Sequence, residues 1–329
     1  VKSFSLDKIS QYLFDIEKKD IDYKIFQKNK WTEEELKQIK EYCEIDILMT
    51  KKLHDFMENY FESFKVLISQ EDIRDKCYIK DKIGVLAYRA ICHNCNLKFE
   101  FNEDIERTSF QGGWFENSNI EEFKTNGNNR VIVLDIKSAY NHAQKMLNLF
   151  SPIDETKEEY KNFKGKIFEG NELYPIKGKY NAEYQGIIEK KLTEWYNLRQ
   201  ELKKQKDKRE FAYKTILNVI FGITGNPSFK NVFILNTPDN TTLFCRQTIK
   251  LIKTEFEKRG YVWLYTATDS VYLIDNENSD EKVFEILKGV KETIKKNVPF
   301  YHDTFDLELQ EKIKYIKFFR DEEGKLLAN

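Results

Sequence analysis

The run Val131-Ile132-Val133-Leu134-Asp135 constrains this chain more than any other five residues. Four apolar residues in succession, three of them β-branched, read as a buried strand, and the strand delivers a carboxylate at its end. A second signal stands far downstream. Tyr261-Val262-Trp263-Leu264-Tyr265 and Val271-Tyr272-Leu273-Ile274 flank a turn and predict a hairpin with Thr266–Ser270 at its tip. Two strand-borne carboxylates, Asp135 and Asp269, can therefore meet at one sheet edge. Carboxylates paired in this way suit two divalent ions, because Mg²⁺ takes oxygen ligands from protein and phosphate alike.

The remaining segments read mostly as helices. Apolar positions recur at helical spacing over 4–18, over 32–65 and over 80–95. Thr32 with Glu35 makes a capping box at the start of the second. Residues 105–130 hold Gly112, Gly113 and Gly127 and read as turns and loops with short strands, and Gly165, Gly170 and Gly178 suggest a small hairpin over 163–180. Further helices are predicted over 138–149, 187–222, 240–259 and 281–297, and strands over 305–320. No internal repeat, low-complexity tract or clean linker appears.

The chain has 329 residues, which at roughly 150 per domain suggests about two compact units. No apolar run approaches the roughly 20 residues of a membrane span and no signal peptide is visible, so a soluble intracellular protein is expected. The net charge of -1 excludes a histone-like polycation but not a nucleic-acid enzyme, which needs only a local basic groove. Residues 189–214 carry such a patch, with nine Lys/Arg against five Asp/Glu. Five cysteines, an odd number without regular spacing, argue against a disulfide framework. Cys92-His93-Asn94-Cys95 lacks the second ligand pair of a zinc site and reads as a helix end carrying two thiols. The chain opens on Val1 rather than Met and enters a helical pattern at once, the opening expected of a fragment.

Three segments, in order, carry the chemistry: Asp135-Ile136-Lys137-Ser138-Ala139-Tyr140-Asn141, Lys214-Thr215-Ile216-Leu217-Asn218-Val219-Ile220-Phe221-Gly222, and Tyr265-Thr266-Ala267-Thr268-Asp269-Ser270. Order, spacing and strand–helix–hairpin context resemble motifs A, B and C of family B DNA polymerases. Phe110-Gln111-Gly112-Gly113 resembles the YxGG element that joins nuclease and polymerase parts in that family, and Tyr42-Cys43-Glu44-Ile45-Asp46 resembles its third exonuclease motif, YxxxD. The texture is closest to the protein-primed phage and plasmid branch.

The resemblance implies an α+β fold: a palm of antiparallel sheet and helices, helical fingers, and the C-terminal helical part of a 3′–5′ exonuclease domain. It divides the chain into an exonuclease remnant over 1–65, a connecting segment over 66–125, palm over 126–186, fingers over 187–228, and palm with the start of a thumb over 229–329. It implies template-directed transfer of nucleotides from dNTPs to a primer 3′-hydroxyl on primer–template DNA. Asp135 and Asp269 would hold two Mg²⁺, for which Mn²⁺ can substitute. Arg199, Lys203, Lys214, Ser138 and Asn218 would serve the triphosphate and base, and Tyr140 would lie beneath the sugar and exclude a 2′-hydroxyl. Phe221, Gly222, Thr268, Gly112, Gly113, Lys312 and Lys314 would meet DNA. The setting implied is the cytoplasm of a host cell, or a mitochondrion for a linear plasmid.

The pattern also breaks. Ala267 stands where the family has the first aspartate of motif C, which predicts weakened turnover. Ala139 and Asn141 depart from motif A, and Val219 and Phe221 from motif B. Only 79 positions separate Asp135 from Lys214 and 53 separate Lys214 from Ala267, leaving little room for the insertions of the protein-primed branch. That argues against strand displacement and a terminal-protein primer. With only Tyr42 and Asp46 of a nuclease site, proofreading is expected to be absent. The rival expectation is a degenerate polymerase that binds primer–template DNA without turnover.

Overall fold

The structure, a computed structural model, describes residues 5–18, 20–102, 109–320 and 326–327. Phe4 and part of the 105–130 segment lie outside the described residues. The chain divides into two compact units, Val1–Asp81 and Lys82–Asn329.

The first unit is helical. It comprises α1 (Leu6–Phe14), α2 (Glu33–Glu62), α3 (Gln70–Asp75) and α4 (Cys77–Lys80), with 3₁₀ turns at Tyr23–Gln27 and Ser63–Val66. The capping box forms as expected: Thr32 Oγ1 accepts from the Glu35 N–H, and the Glu35 carboxylate accepts from the Thr32 N–H at 2.9 Å. Tyr42, Met49, Phe61 and Phe64 are buried here.

The second unit runs α5 (Ile83–Asn94), β1 (Phe115–Asn117), β2 (Glu122–Lys124), β3 (Arg130–Ile136), α6 (Ala139–Met146), β4 (Ile167–Phe168), β5 (Tyr180–Asn181), α7 (Ile187–Gln205), α8 (Glu210–Thr224), α9 (Thr237–Glu257), β6 (Val262–Ala267), β7 (Ser270–Asp275), α10 (Asp280–Asn297), β8 (Leu307–Ile313), β9 (Tyr315–Lys317), β10 (Phe319–Arg320) and β11 (Leu326–Leu327). Five strands form one antiparallel sheet in the order β1-β6-β7-β3-β8. The helical region expected over 187–222 is two helices. Lys206 enters the left-handed region at φ +56°, and the Asp207 carboxylate accepts from the Arg209 N–H, so the chain turns at that point. Cys92 and Cys95 sit buried at the end of α5, where burial pushes both thiols up to about 11.

Strand β3 is an interior strand, paired with β7 on one side and β8 on the other, which suits its apolar composition. Val131, Ile132, Val133 and Leu134 are at most 1% exposed. Side chains alternate across a strand. Ile132, Leu134 and Ile136 therefore face one way, into a core with Phe244, Ile249 and Ile252 of α9 and Val283, Leu287 and Val290 of α10. Val131 faces the other way, packing with Leu264, Ile274 and Phe318. Asp135 has the parity of Val131 and Val133, so it stands on the face away from α9 and α10.

Helix α6 follows β3 and is buried all round despite its polarity. Asn141, His142, Gln144, Lys145 and Asn148 are all at most 4% exposed. Several find partners. Gln144 Nε2 donates to Thr224 Oγ1 at 3.2 Å, and Asn148 Nδ2 donates to the carbonyls of Asn181 and Tyr184. Lys145 does not: its Nζ has no hydrogen-bond partner among the described residues and lies 4.7 Å from the centroid of the Tyr196 ring. Burial lowers this ammonium to about 7. Between about 7 and the unfolded value of 10.5 the unfolded chain binds a proton that the folded chain does not, so stability rises with pH across that window. Lys145→Met is therefore expected to be more stable than the parent at about pH 6.5, by a few kcal/mol, with the gap closing toward pH 10. Urea unfolding at both pH values checks this, and parallel pH profiles for the two proteins would refute it.

Candidate active site

The register of the sheet brings the two aspartates together. Asp135 lies opposite Ser270 in the β3–β7 pair, and the Ile136 N–H donates to the carbonyl of Asp269 at 2.9 Å. A non-glycine residue in the left-handed region stands near each carboxylate: Ser138, three residues after Asp135, at φ +50°, and Thr268, immediately before Asp269, at φ +43°. Such backbone is unfavourable for a β-branched residue and persists only where its surroundings hold it.

A third carboxylate stands beside them. Glu308 of β8 lies opposite Asp135 on the other side of β3. Burial, then the charges of Asp269 and Glu308, push Asp135 up to about 6. Burial also raises Asp269. Glu308 pairs with Lys137 at 2.6 Å. Sequence reasoning missed Glu308, whose only signal was its place on an alternating strand. Among the described residues no group of three or more His, Cys, Asp or Glu side chains gathers as a metal cluster. The donor set is thus two hard carboxylates of like charge, with Ala267, not a third acid, in the β6 register position opposite Ser270. Hard oxygen donors of this kind fit Mg²⁺ provided substrate oxygens complete the shell.

Helix α8 presents a mixed face toward solvent. Ala212, Tyr213, Ile216, Leu217, Ile220 and Ile223 are buried. Lys214 and Asn218 are exposed, Phe221 is half-buried and Gly222 is exposed. Positions i, i+4, i+7 and i+8 share one side of a helix. This face meets the aspartate region through aromatic rings. Tyr140 and Phe221 have centroids 4.4 Å apart, and Phe110 meets Phe221 edge-on at 5.5 Å. Burial, with Cys245 and Asp269 nearby, raises the Tyr140 hydroxyl to about 12, so it stays protonated.

The basic residues behave less uniformly. Lys214 has no ion-pair partner among the described residues, and Lys203 is exposed in the last turn of α7. Arg199 is engaged: its Nε donates to Glu210 Oε1 at 2.9 Å, tying α7 to α8. Lys312 is engaged as well, with Asp280 at the start of α10, whereas Lys314 is exposed between β8 and β9. A cleft of about 680 Å³ lies beside this region, lined by Lys137, Tyr196, Gln200, Lys288, Lys291 and Lys295 among others, and neither aspartate borders it.

The Gln111–Trp114 segment is strapped between α9 and the hairpin tip. The Gln111 N–H donates to Asp239 Oδ1, Thr242 Oγ1 donates to the Gln111 carbonyl, and Arg246 Nη1 donates to the carbonyls of Gln111 and Gly112 at 3.0 and 2.6 Å. On its other side the Thr268 N–H donates to the Trp114 carbonyl at 3.0 Å. Asp239, Thr242 and Arg246 carried no local signal, because the partner segment lies more than 120 positions away.

In the first unit, Asp46 pairs with Lys18 at 2.8 Å, Lys18 lies 4.4 Å from the Tyr42 ring centroid, and Tyr42 and Tyr23 share a hydrogen bond at 2.8 Å. Asp46 raises Lys18 well above its usual value. The pair drawn from the expected exonuclease motif is thus closed on itself by neighbours from the same unit.

No family model matches the sequence, and no curated protein does. Among solved structures, the chain is similar to the family B DNA polymerase from the hyperthermophilic archaeon Pyrobaculum calidifontis, with a TM-score of 0.60 at 13% identity. The match covers 98% of this chain and 42% of that one, so this chain spans less than half the length of that polymerase. The likeness is one of fold.

Gly113 is where strap and tip come closest. A Cβ there would stand 2.9 Å from both Oγ1 and Cγ2 of Thr268 and 3.0 Å from its Cα. Gly113→Ala is expected to cost about 1–3 kcal/mol in urea unfolding. In a Thr268→Gly background, which removes the nearest atoms and relieves the left-handed threonine, most of that cost should vanish. An equal cost in both backgrounds would mean that the contact is not what limits residue 113.

Proposed function

We propose that this chain is the palm and fingers of a family B DNA polymerase, acting on primer–template DNA and dNTPs. The observation that carries the reading is the juxtaposition of Asp135 with the Asp269 turn on the open face of an antiparallel sheet, within aromatic contact of the Lys214–Phe221 face of α8. The fold likeness to a family B polymerase supports it. In this reading β3, β6, β7 and β8 with α6, α9 and α10 form the palm and α7 and α8 the fingers. The first unit is the end of an exonuclease domain. A phage or plasmid source in a host cytoplasm or a mitochondrion, and a polymerase extending beyond this chain at both ends, belong to the same proposal.

Each residue has a physical part. Asp135 and Asp269 hold two Mg²⁺ ions, and relief of their mutual repulsion favours cation binding. Bound there, the ions stabilise the attacking and leaving oxygens of nucleotidyl transfer. Lys214, unpaired and exposed, is the cation best placed for the triphosphate. Lys203 joins it, Arg199 does so on exchanging Glu210 for phosphate, and Ser138 helps position the same group. Tyr140, held against Phe221, blocks a 2′-hydroxyl with its ring. Asn218, Phe221 and Gly222 face the nascent base pair. Gly112, Gly113 and Thr268 lie along the primer end. Lys314 is free to meet primer phosphate, and Lys312 must first leave Asp280. Because Asp46 and Tyr42 are occupied by Lys18 and Tyr23, this chain is not expected to degrade single-stranded DNA.

Ala267 favours a second reading, a polymerase-like protein that binds DNA without turnover. Primer extension with each dNTP and Mg²⁺ decides between them. Ala267→Asp is expected to raise the extension rate at least about tenfold by restoring a charge at the metal site. Asp135→Asn and Asp269→Asn should abolish extension while leaving DNA binding. DNA binding without extension even in Ala267→Asp would favour the second reading. A chain that neither extends nor binds primer–template DNA would sink both.

A further inference from the structure

Several lysines of the second unit pair with carboxylates: Lys177 with Asp239, Lys179 with Glu155, Lys258 with Glu255, Lys291 with Asp306 and Lys312 with Asp280. Two on α9 are held differently. Lys253 Nζ lies 3.8 Å from the centroid of the Trp263 ring, and Lys250 and Lys253 lie 5.5 and 5.9 Å from that of Trp114. Lys250 has no ion-pair partner among the described residues, and Lys253 meets only Glu257, at 3.9 Å. An indole face orients an ammonium through its quadrupole but does not cancel its charge. The pair is thus positioned and still carries charge for a partner.

Their place is specific. Lys250 and Lys253 follow Arg246 by four and seven residues, so the three share one side of α9. Arg246 grips the strap that touches the Asp269 turn. Trp114 ends the strap just before β1, the edge strand of the sheet, and Trp263 lies on β6 beside it. The two charges therefore extend a line that begins at the hairpin tip and leaves along the β1 edge. With a chain net charge of only -1, uncancelled local charge decides what docks there.

We infer that the Lys250–Lys253 face of α9, framed by Trp114 and Trp263, binds the phosphate backbone of a DNA strand as it passes the hairpin tip. This rests on the DNA reading of the site and adds a binding surface outside it. Phosphate contacts of this kind add affinity without sequence preference and release counterions, so they are read in the salt dependence of binding.

The test is fluorescence anisotropy of labelled DNA across a salt series, with the parent, Lys250→Gln/Lys253→Gln, Lys250→Arg/Lys253→Arg, Lys250→Gln alone and a control pair in a distant loop, Lys164→Gln/Lys166→Gln. The double glutamine variant is expected to bind about tenfold or more weakly at 0.1 M salt and to lose about two from the slope of log K against log salt. The arginine pair should keep the parental slope. Lys250→Gln, at an exposed position that cannot unfold the chain, should lose about one. A blunt duplex and a duplex with a 5′ single-stranded overhang are compared: loss on both assigns the face to duplex, and loss confined to the overhang assigns it to the template strand. If the parent binds DNA and the glutamine variants keep its affinity and slope, or the control pair loses as much, the inference is overturned while the proposed function stands. If the parent binds no DNA, the proposed function itself fails.

Discussion

The antiparallel pairing of β3 with β7 is the constraint on which the second unit rests. Together with the β3–β8 pairing it holds Val131 through Leu134 buried and leaves Asp135, only partly buried, toward the end of the strand. One face of the pair must then be covered by apolar helix, and α9 and α10 supply it. The other face is covered only partway, by the Ile120, Phe123, Ile316 and Phe318 layer, so the end that carries Asp135 and the Asp269 turn stays open. A cluster of like charges costs least where solvent or a cation can reach it, and that end is where this sheet has placed its carboxylates.

Strain and buried polarity collect around the same end. Ser138, three residues after Asp135, and Thr268, next to Asp269, take left-handed backbone, and the strap from Gln111 to Trp114 bonds to Thr268 on one side and to α9 on the other. Behind Ser138, α6 carries four polar side chains into the interior and Asn148 follows just after it; one of them, Lys145, has an aromatic face and no hydrogen-bond partner among the described residues. A chain selected for stability alone would place leucines there. These departures border the candidate site, which is where locally costly choices are expected to gather.

Much of this was legible beforehand because it is local. The β-branched run at 131–134, the capping box at Thr32 and the hairpin around Asp269 each depend on a few neighbouring residues, and all three form. The boundary inside 187–222 was not legible, because the left-handed Lys206 and the Asp207 turn fall in the polar run 203–210, which holds no Gly or Pro to mark a break. Arg199 and Lys312 were expected to serve the triphosphate and to meet DNA. Each has a carboxylate partner, one eleven residues away and the other thirty-two, and spacing along the chain does not reveal such pairs.

The sequence by itself determined that the 131–134 strand would be buried and that two strand ends would carry acid, since side-chain period and β-branching are properties of the local chain. Only the tertiary structure decided what those ends meet. Glu308 lies opposite Asp135, Arg246 holds Gly112, Lys18 closes on Asp46, and two indoles hold Lys250 and Lys253. Each of these follows from strand register or helix docking, where one residue's slip exchanges every partner, and no short window of sequence encodes that choice.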